Sequence, residues 1–588
     1  MALEALPADA VHLLIAGAAA AVALAAVYAS DRPAGAWGRR LRSRLLLGVP
    51  WGTLLAVGFV IGVYLLVQSG IENPNRPVVI PFRAWSYLYP EGMLWAGFSH
   101  ASRGHITGNL LSTLVAGTLA EYAYGHFPRE RGSETFGSLR RNPYVRAFCV
   151  VPGAILAFGV VSSLLALGPV IGFSGVVFAL WGFALVHYPV GTIASLTAAT
   201  LASVVYETVR TPVEIAEATP SFGPPSWANI AIQGHALGLI AGVLVGAWLL
   251  RRRSRRRASK GDASGGRVSG HLPRGRSGPS STSALVVFAA VLLFGASRRL
   301  WAVYWYLGNA RYELYRALGL AGVLALAAIV AVAVAGREEP LRPTLAVPEP
   351  RTIRGSVASA TPAAVGLLCL LAAFAAVAGP AVVPNLVTVG EGDLPGDPVE
   401  VEGYQVTYAE DVEDRTVSAI DIEAFGRSTS VRTSGVIVAN PDREIWTTAV
   451  SKGNLAFWGY RAVDVGGTGW RETVWVQRTG WVAVGGNATY RVDAVREENR
   501  STLFVSDAAD AEPRLDGRNV TVAAVEGGFE LRVAHGGTNE TAPIPPGNES
   551  VTLRGVEFVR EEEAIYAERG DSRVRVADRE RYEGRERS

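Results

Sequence analysis

The sequence predicts a polytopic α-helical membrane protein that ends in a soluble, all-β, sandwich-like domain. Three observations carry this. Apolar residues make up 49 % of the 588 and gather in long Ala/Val/Leu/Gly runs before residue 386. Charge divides at the same place, with 32 Lys and Arg against 16 Asp and Glu up to residue 385 and 23 against 36 from there on. After 386 the pattern shortens to runs such as YQVTY, SGVIVA, RETVWVQ, TGWVAVG and NVTVAAV, broken by Gly, Asn and Pro. That is the period of half-buried strands, and their number fits two small sandwiches.

A bilayer core of roughly 30 Å takes about 20 apolar residues in a helix. Runs at 10–29, 46–68, 104–124, 147–166, 172–189, 191–207, 229–250, 317–335 and 363–384 meet that requirement. The N-terminus, MALEALPADA, lacks a basic leader, so the first run is read as a retained span. The run 284–297 is short and meets Arg298 and Arg299. It either crosses by snorkelling or is re-entrant, and the side on which everything later lies depends on which.

Basic loops orient the spans. Arg39, Arg40, Arg42 and Arg44 precede the second run, Arg129, Arg131, Arg140 and Arg141 follow the third, and RRRSRRR at 251–257 follows the seventh. If each intervening run crosses, all three clusters share one side, the cytoplasmic one, and segments 69–103 and 208–228 face outward. A nucleic-acid role for RRRSRRR is rejected because it abuts an apolar run, where it anchors topology beside anionic lipid. Residues 1–45 thus form an extra helix and basic loop, 46–250 a core, 251–283 a basic Gly/Ser-rich cytoplasmic linker, and 284–385 three further membrane segments. Residues 386–560 form the acidic β domain, and 561–588 a charged tail, expected to be loosely ordered or helical. The two cysteines, Cys149 and Cys369, lie in apolar runs and are read as packing residues, so no disulfide framework is expected.

Polar side chains inside spans are few, and each is informative. GFSGVVFALWG at 172–182 carries Ser174 between glycines. His105 and Asn109 sit four apart on one helix face, with His100 just before them and Glu121 further down the same helix. His235 lies early in GHALGLIAGVLVG. In the orientation above, Ser174, His105, Asn109 and His235 all lie near the outer ends of their spans. A serine, a histidine able to take its proton, and donors for an oxyanion are the requirements of acyl transfer. Small residues at Gly172, Gly175, Ala179 and Gly182 on one helix and Gly238, Gly242 and Gly246 on the other allow the close approach this needs.

In HASRGHITGN with Glu121 twelve residues on, then GFSGVVFALWG, then GHALGLIAG, the chain resembles the rhomboid intramembrane serine proteases over residues 46–250. The resemblance implies a six-helix core, a Ser174/His235 dyad without an acidic third member, and an oxyanion site at His105 and Asn109. It also implies supporting roles for His100 and Gly172, a structural role for Glu121, and transmembrane protein substrates, with no metal or other cofactor. Glu91 and Gly92 stand where the family has a Trp-Arg pair, and Phe178 where it commonly has a tyrosine stacked on the histidine. The alternative is a catalytically silent relative that binds membrane clients through the same helices.

Taken alone, a GxSG in a membrane helix is more often packing than catalysis, and a lone histidine more often a satisfied hydrogen-bonder; their joint order and depth favour the enzyme. His12, His126 and His187 are read as surface residues. Trp458, Trp470, Trp475 and Trp481 are read as sandwich core in preference to a carbohydrate platform. Five sequons, at Asn487, Asn499, Asn519, Asn539 and Asn548, predict glycans on an exported β domain of a multi-pass cell-membrane protein. The acidic outer domain and preference for Arg over Lys point to a salt-loving prokaryote, an archaeon being the compositional expectation.

Overall fold

The computed structural model describes residues 8–31, 36–127, 136–139, 141–210, 212, 225, 227–228, 230–263, 283–308, 311–336, 360–386, 388–389, 394–415, 431–497, 499–514 and 517–586. Of the basic clusters, Arg129, Arg131 and Arg140 fall outside these, as do most of the 208–228 segment and the linker from 264 to 282.

The first half is helical: α1 (Ala8–Asp31), α2 (Ala36–Arg44), α3 (Trp51–Gly62), α4 (Pro90–Ala96), α5 (Arg103–Tyr124), α6 (Pro143–Leu165), α7 (Ser174–His187), α8 (Pro189–Arg210), α9 (Ile232–Ala263), α10 (Ala284–Ser297), α11 (Arg316–Ala335) and α12 (Pro362–Val382). Among the described residues four helices, α6, α9, α11 and α12, are long and apolar enough to cross a membrane by length and composition. The protein is therefore a membrane protein with several apolar helices. Helix α9 runs past the basic cluster to Ala263, so the linker begins later than expected; Arg, Ala and Lys are strong helix formers and carry the helix into the polar sequence.

The two ends of this bundle differ in chemistry. At one end Arg44, Arg146 and Arg253 converge on the C-terminus of α5, donating to the carbonyls of Tyr122, Ala123, Tyr124 and Gly125 at 2.7–3.4 Å. Cations there satisfy carbonyls that the helix leaves unpaired and meet the negative end of its dipole. Glu121, one turn earlier, is buried and accepts from Gly52 N at 2.9 Å, Thr53 N at 2.8 Å and Thr53 Oγ1 at 2.6 Å, which pins the start of α3. His126 lies 2.6 Å from the same carboxylate and accepts from Leu46 N at 2.8 Å. It is fully buried, not a surface residue as expected, because the α5 C-terminus and the turn before α3 fold over it. Of the other two, His12 is exposed, whereas His187 is half-buried and stacked on Phe183, with ring centroids 4.5 Å apart. Glu121→Ala strands two backbone donors and a hydroxyl in the interior and is expected to destabilise the protein by about 3–5 kcal/mol. Denaturant unfolding of the purified protein in detergent checks this; an unchanged midpoint would show that α3 does not depend on the carboxylate.

The opposite end carries the loop of residues 69–102 and receives the rest of the chain. A short hairpin, β1 (Tyr304–Gly308) with β2 (Arg311–Leu314), connects α10 to α11, and its Tyr304 and Tyr312 pack on Trp227 just before α9. Helix α10 thus delivers its C-terminal end beside the N-terminal end of α9. Asn385, after α12, donates to Ala166 O at 2.9 Å and accepts from Tyr87 N at 2.8 Å, so the β domain starts at this same end. Cys149 and Cys369 are exposed on their helices, contrary to the packing role expected; both point out of the bundle.

The β domain is built on a long curled antiparallel sheet: β10 (Asn499–Val505), β9 (Ala488–Arg496), β8 (Trp470–Ala483), β18 (Ser572–Arg579), β17 (Ala564–Arg569), β16 (Val556–Glu561) and β15 (Ser550–Leu553), with β7 (Tyr460–Gly467) paired to the first half of β8. One four-stranded sheet, β3 (Val399–Val401) to β6 (Ile445–Ser451), packs on one part of it around Tyr404, Val438, Val474 and Val492. Another, β11 (Ala509–Asp510) to β14 (Thr538–Pro543), packs on the other part around Val522, Leu531, Phe558 and Ile565. The tail expected to be loose or helical instead supplies β17 and β18. Their apolar residues alternate inward at Ile565, Ala567 and Val576, while charges pair on the outer face, as in Arg573 with Glu568 at 3.0 Å. Trp481 is core of the cluster around Phe558, Trp470 is partly buried against the other cluster beside Tyr404, Trp458 is half-buried, and Trp475 is 41 % exposed, so the tryptophans do not form a single core set. The five sequon asparagines are all exposed.

Candidate active site

Ser174 opens α7, so its backbone N–H is one of the donors the helix leaves unpaired at its N-terminus. Gly172, two residues earlier, has φ +124°, a conformation L side chains rarely adopt. It is also crowded: a Cβ there would lie 2.7 Å from His105 Cε1 and 3.7 Å from Asn109 Nδ2. The turn into α7 is thus pressed against the ring of His105 and the amide of Asn109, both half-buried on α5.

His100 completes this side. Its Nε2 is 3.0 Å from Asn109 Nδ2 and its ring meets that of His105 edge-on, with centroids 5.0 Å apart. With His100 Nε2 as acceptor, one hydrogen of the Asn109 amide is engaged and the second remains for another acceptor. Gln68, which the sequence reading missed, holds His100 by both backbone groups, accepting from its N–H at 2.8 Å and donating to its C=O at 2.9 Å. Gln68 is fully buried at the end of the α3 span; an amide inside an apolar run was the available signal.

His235 sits in the first turn of α9, and its ring stacks on Phe178 with centroids 4.1 Å apart and planes 15° from parallel. Phe178 follows Ser174 by four residues, so serine and ring share one face of α7. Helices α7 and α9 are almost in backbone contact. A Cβ on Gly238 would lie 2.2 Å from Gly175 O, and one on Gly175 would lie 3.8 Å from Gly234 O. Ser174 and His235 therefore occupy facing positions at one end of this contact. No hydrogen bond joins them among the described residues; such bonds are often long in a free enzyme and tighten on substrate binding. His235 Nδ1 is buried without a partner among the described residues, so the face of Phe178, and no carboxylate, orients the ring. Behind it Phe294 of α10 packs edge-on against Phe178 at 5.5 Å, and Gln233 ties the start of α9 to Leu165 O at 3.0 Å and Val377 O at 2.7 Å.

Glu91 and Gly92, the departures noted in the sequence, have local explanations. Glu91 Oε1 accepts from Thr468 Oγ1 of the β domain at 2.7 Å. A Cβ on Gly92 would lie 2.5 Å from Arg83 O, so only glycine lets α4 pack onto the incoming loop. The loop is braced from outside: Trp85 and Tyr89 belong to the apolar cluster of Tyr404 and Val465, and Arg76 pairs with Asp464 at 2.7 Å.

Residues 91–252 match the family described as Rhomboid domain. The chain carries a Rhomboid domain. The match contains Ser174, His235, His105, Asn109, His100 and Glu121 and stops before α10, so the last three helices and the β domain lie outside it. No curated protein and no solved structure matches the chain.

Proposed function

We propose that the protein is an intramembrane serine endopeptidase that cleaves transmembrane segments of other membrane proteins through an acyl-enzyme. The observation that carries this reading is the convergence at one end of the α7/α9 contact: Ser174 on a helix N-terminus, His235 stacked on Phe178, and Gly172 pressed on His105 and Asn109. His235 takes the Ser174 proton as Oγ attacks the scissile carbonyl. The oxyanion then meets the Ser174 N–H, the free N–H of Asn109 and the His105 ring. Collapse passes the proton from His235 to the leaving amine, and water repeats the sequence to free the acyl group.

In this reading the basic end of the bundle is cytoplasmic by the positive-inside tendency, and the site and β domain face outward at the cell membrane. The β domain rests on the 69–102 loop beside the site, where it screens or recruits substrates, and its exposed sequons are accessible to glycosylation. The direct test is labelling of the purified protein by a serine-reactive fluorophosphonate. Wild type should label and Ser174→Ala should not; an unlabelled wild type would favour a client-binding protein. Asn109→Ala should lower turnover by about 10²–10³, the usual loss for one oxyanion donor, while labelling stays detectable. Wild-type turnover in that variant would remove Asn109 from the oxyanion site.

A further inference from the structure

The 69–102 loop brings a cation beside the segment that leads into Ser174. Ala84 N donates to Val170 O at 2.9 Å, which fixes Arg83 beside the 167–173 segment that leads into Ser174. Arg83 Nη1 donates to Pro169 O at 3.4 Å, and the guanidinium lies within electrostatic reach of the His105 ring. Arg83 is half-buried, and its neighbours Phe82 and Ala84 are fully buried. Among the described residues no carboxylate pairs with it, and one long bond uses one of its five donors. A cation partly withdrawn from water without a counter-charge is costly, and a fold that keeps one against the segment leading into Ser174 has it ready for an anion that arrives.

We propose that Arg83 is a specificity-determining residue whose guanidinium forms a subsite beside Ser174 for a carboxylate side chain of the substrate close to the scissile bond. The inference rests on the protease reading above. A substrate strand lying along 167–173 to reach Ser174 passes under the guanidinium, which matches a carboxylate bidentately. A lipid phosphate is the competing anion, but the Arg83 guanidinium is turned to Pro169 O, and the β domain covers its loop through Trp85 and Tyr89.

The test uses the full-length protein in phosphatidylcholine vesicles with a single-span substrate carrying Asp or Asn at each position flanking the cut. Wild type should prefer Asp at one position by about 10- to 100-fold in kcat/KM, the range for a charge-assisted bond. Arg83→Gln should level that preference, Arg83→Lys should retain part of it, and Arg83→Glu should transfer it to Lys at the same substrate position. Equal rates on Asp and Asn substrates in wild type, or a preference that survives Arg83→Gln, overturns the assignment. Sensitivity to added phosphatidylglycerol that depends on Arg83, without any to substrate charge, overturns it in favour of a headgroup contact. Fluorophosphonate labelling of wild type separates the two readings. A labelled enzyme blind to substrate charge removes the Arg83 subsite alone, whereas neither labelling nor cleavage removes the protease reading with it.

Discussion

Ser174→Ala and His235→Ala should each reduce cleavage of a membrane-embedded substrate to background, and the double variant should be no worse than either. The expectation follows from the division of labour across α7 and α9. Oγ is a weak nucleophile unless an imidazole removes its proton, and in the proposed mechanism that is the one task of His235, so the second loss has nothing left to remove. The ring is held by Phe178 at 4.1 Å with no acidic partner on Nδ1 among the described residues, so in the proposed mechanism the pair is the whole proton-transfer unit. Phe178→Ala should therefore lower turnover through misorientation of His235 while Ser174 remains present. Single-turnover cleavage in vesicles measures all four proteins. Substantial turnover by Ser174→Ala, or a double variant much slower than both singles, would show that the two residues do not act together.

Much of this site was legible in the sequence because hydrocarbon makes polar side chains conspicuous. Ser174, His105, Asn109 and His235 stand out against Ala, Val and Leu, and the glycines of α7 and α9 announce a close contact. The structured loops were opaque for the opposite reason. Arg83 lies in a polar loop where one more arginine carries no signal, and its place beside Pro169 depends on the Ala84–Val170 bridge across 86 residues. His126 was misread because a histidine at a helix end is ordinarily wet, and only the folded arrangement puts Glu121 and Leu46 around it. The tail was misread because its charges hide a period of two: Tyr566, Glu568, Arg573 and Arg575 alternate with Ile565, Ala567, Val574 and Val576, and the cross-strand pair of Glu568 with Arg573 appears only once β17 and β18 are adjacent. The short run at 284–297 could not be placed from its length, whereas the packing of Phe294 on Phe178 and of Tyr304 on Trp227 shows where its C-terminal end lies.

Gly242→Ala, one methyl group in the middle of α9, is expected to impair the enzyme as severely as loss of an oxyanion donor. A Cβ at that position would lie 1.9 Å from Ala179 O, 2.7 Å from Ala179 C and 2.9 Å from Ala179 Cα, all of them backbone atoms of α7. Backbone cannot rotate aside as a side chain can, and a carbon–oxygen contact of this kind relaxes only at roughly 3.3 Å, so the helices must part. Overpacking of this kind costs about 1–3 kcal/mol of stability. The larger consequence is geometric, because α7 carries Ser174 and α9 carries His235: misplacement by about 1 Å can cost about 10²-fold in rate. Gly153→Ala on α6 provides the control, since nothing lies within 4 Å of its Cβ position and the helix gains from losing a glycine. Thermal unfolding in detergent and fluorophosphonate labelling rates should move together for Gly242→Ala and stay at or above wild type for Gly153→Ala. If Gly242→Ala melts and labels like wild type, α7 and α9 are not in backbone contact, and the juxtaposition of Ser174 with His235 that depends on it is wrong.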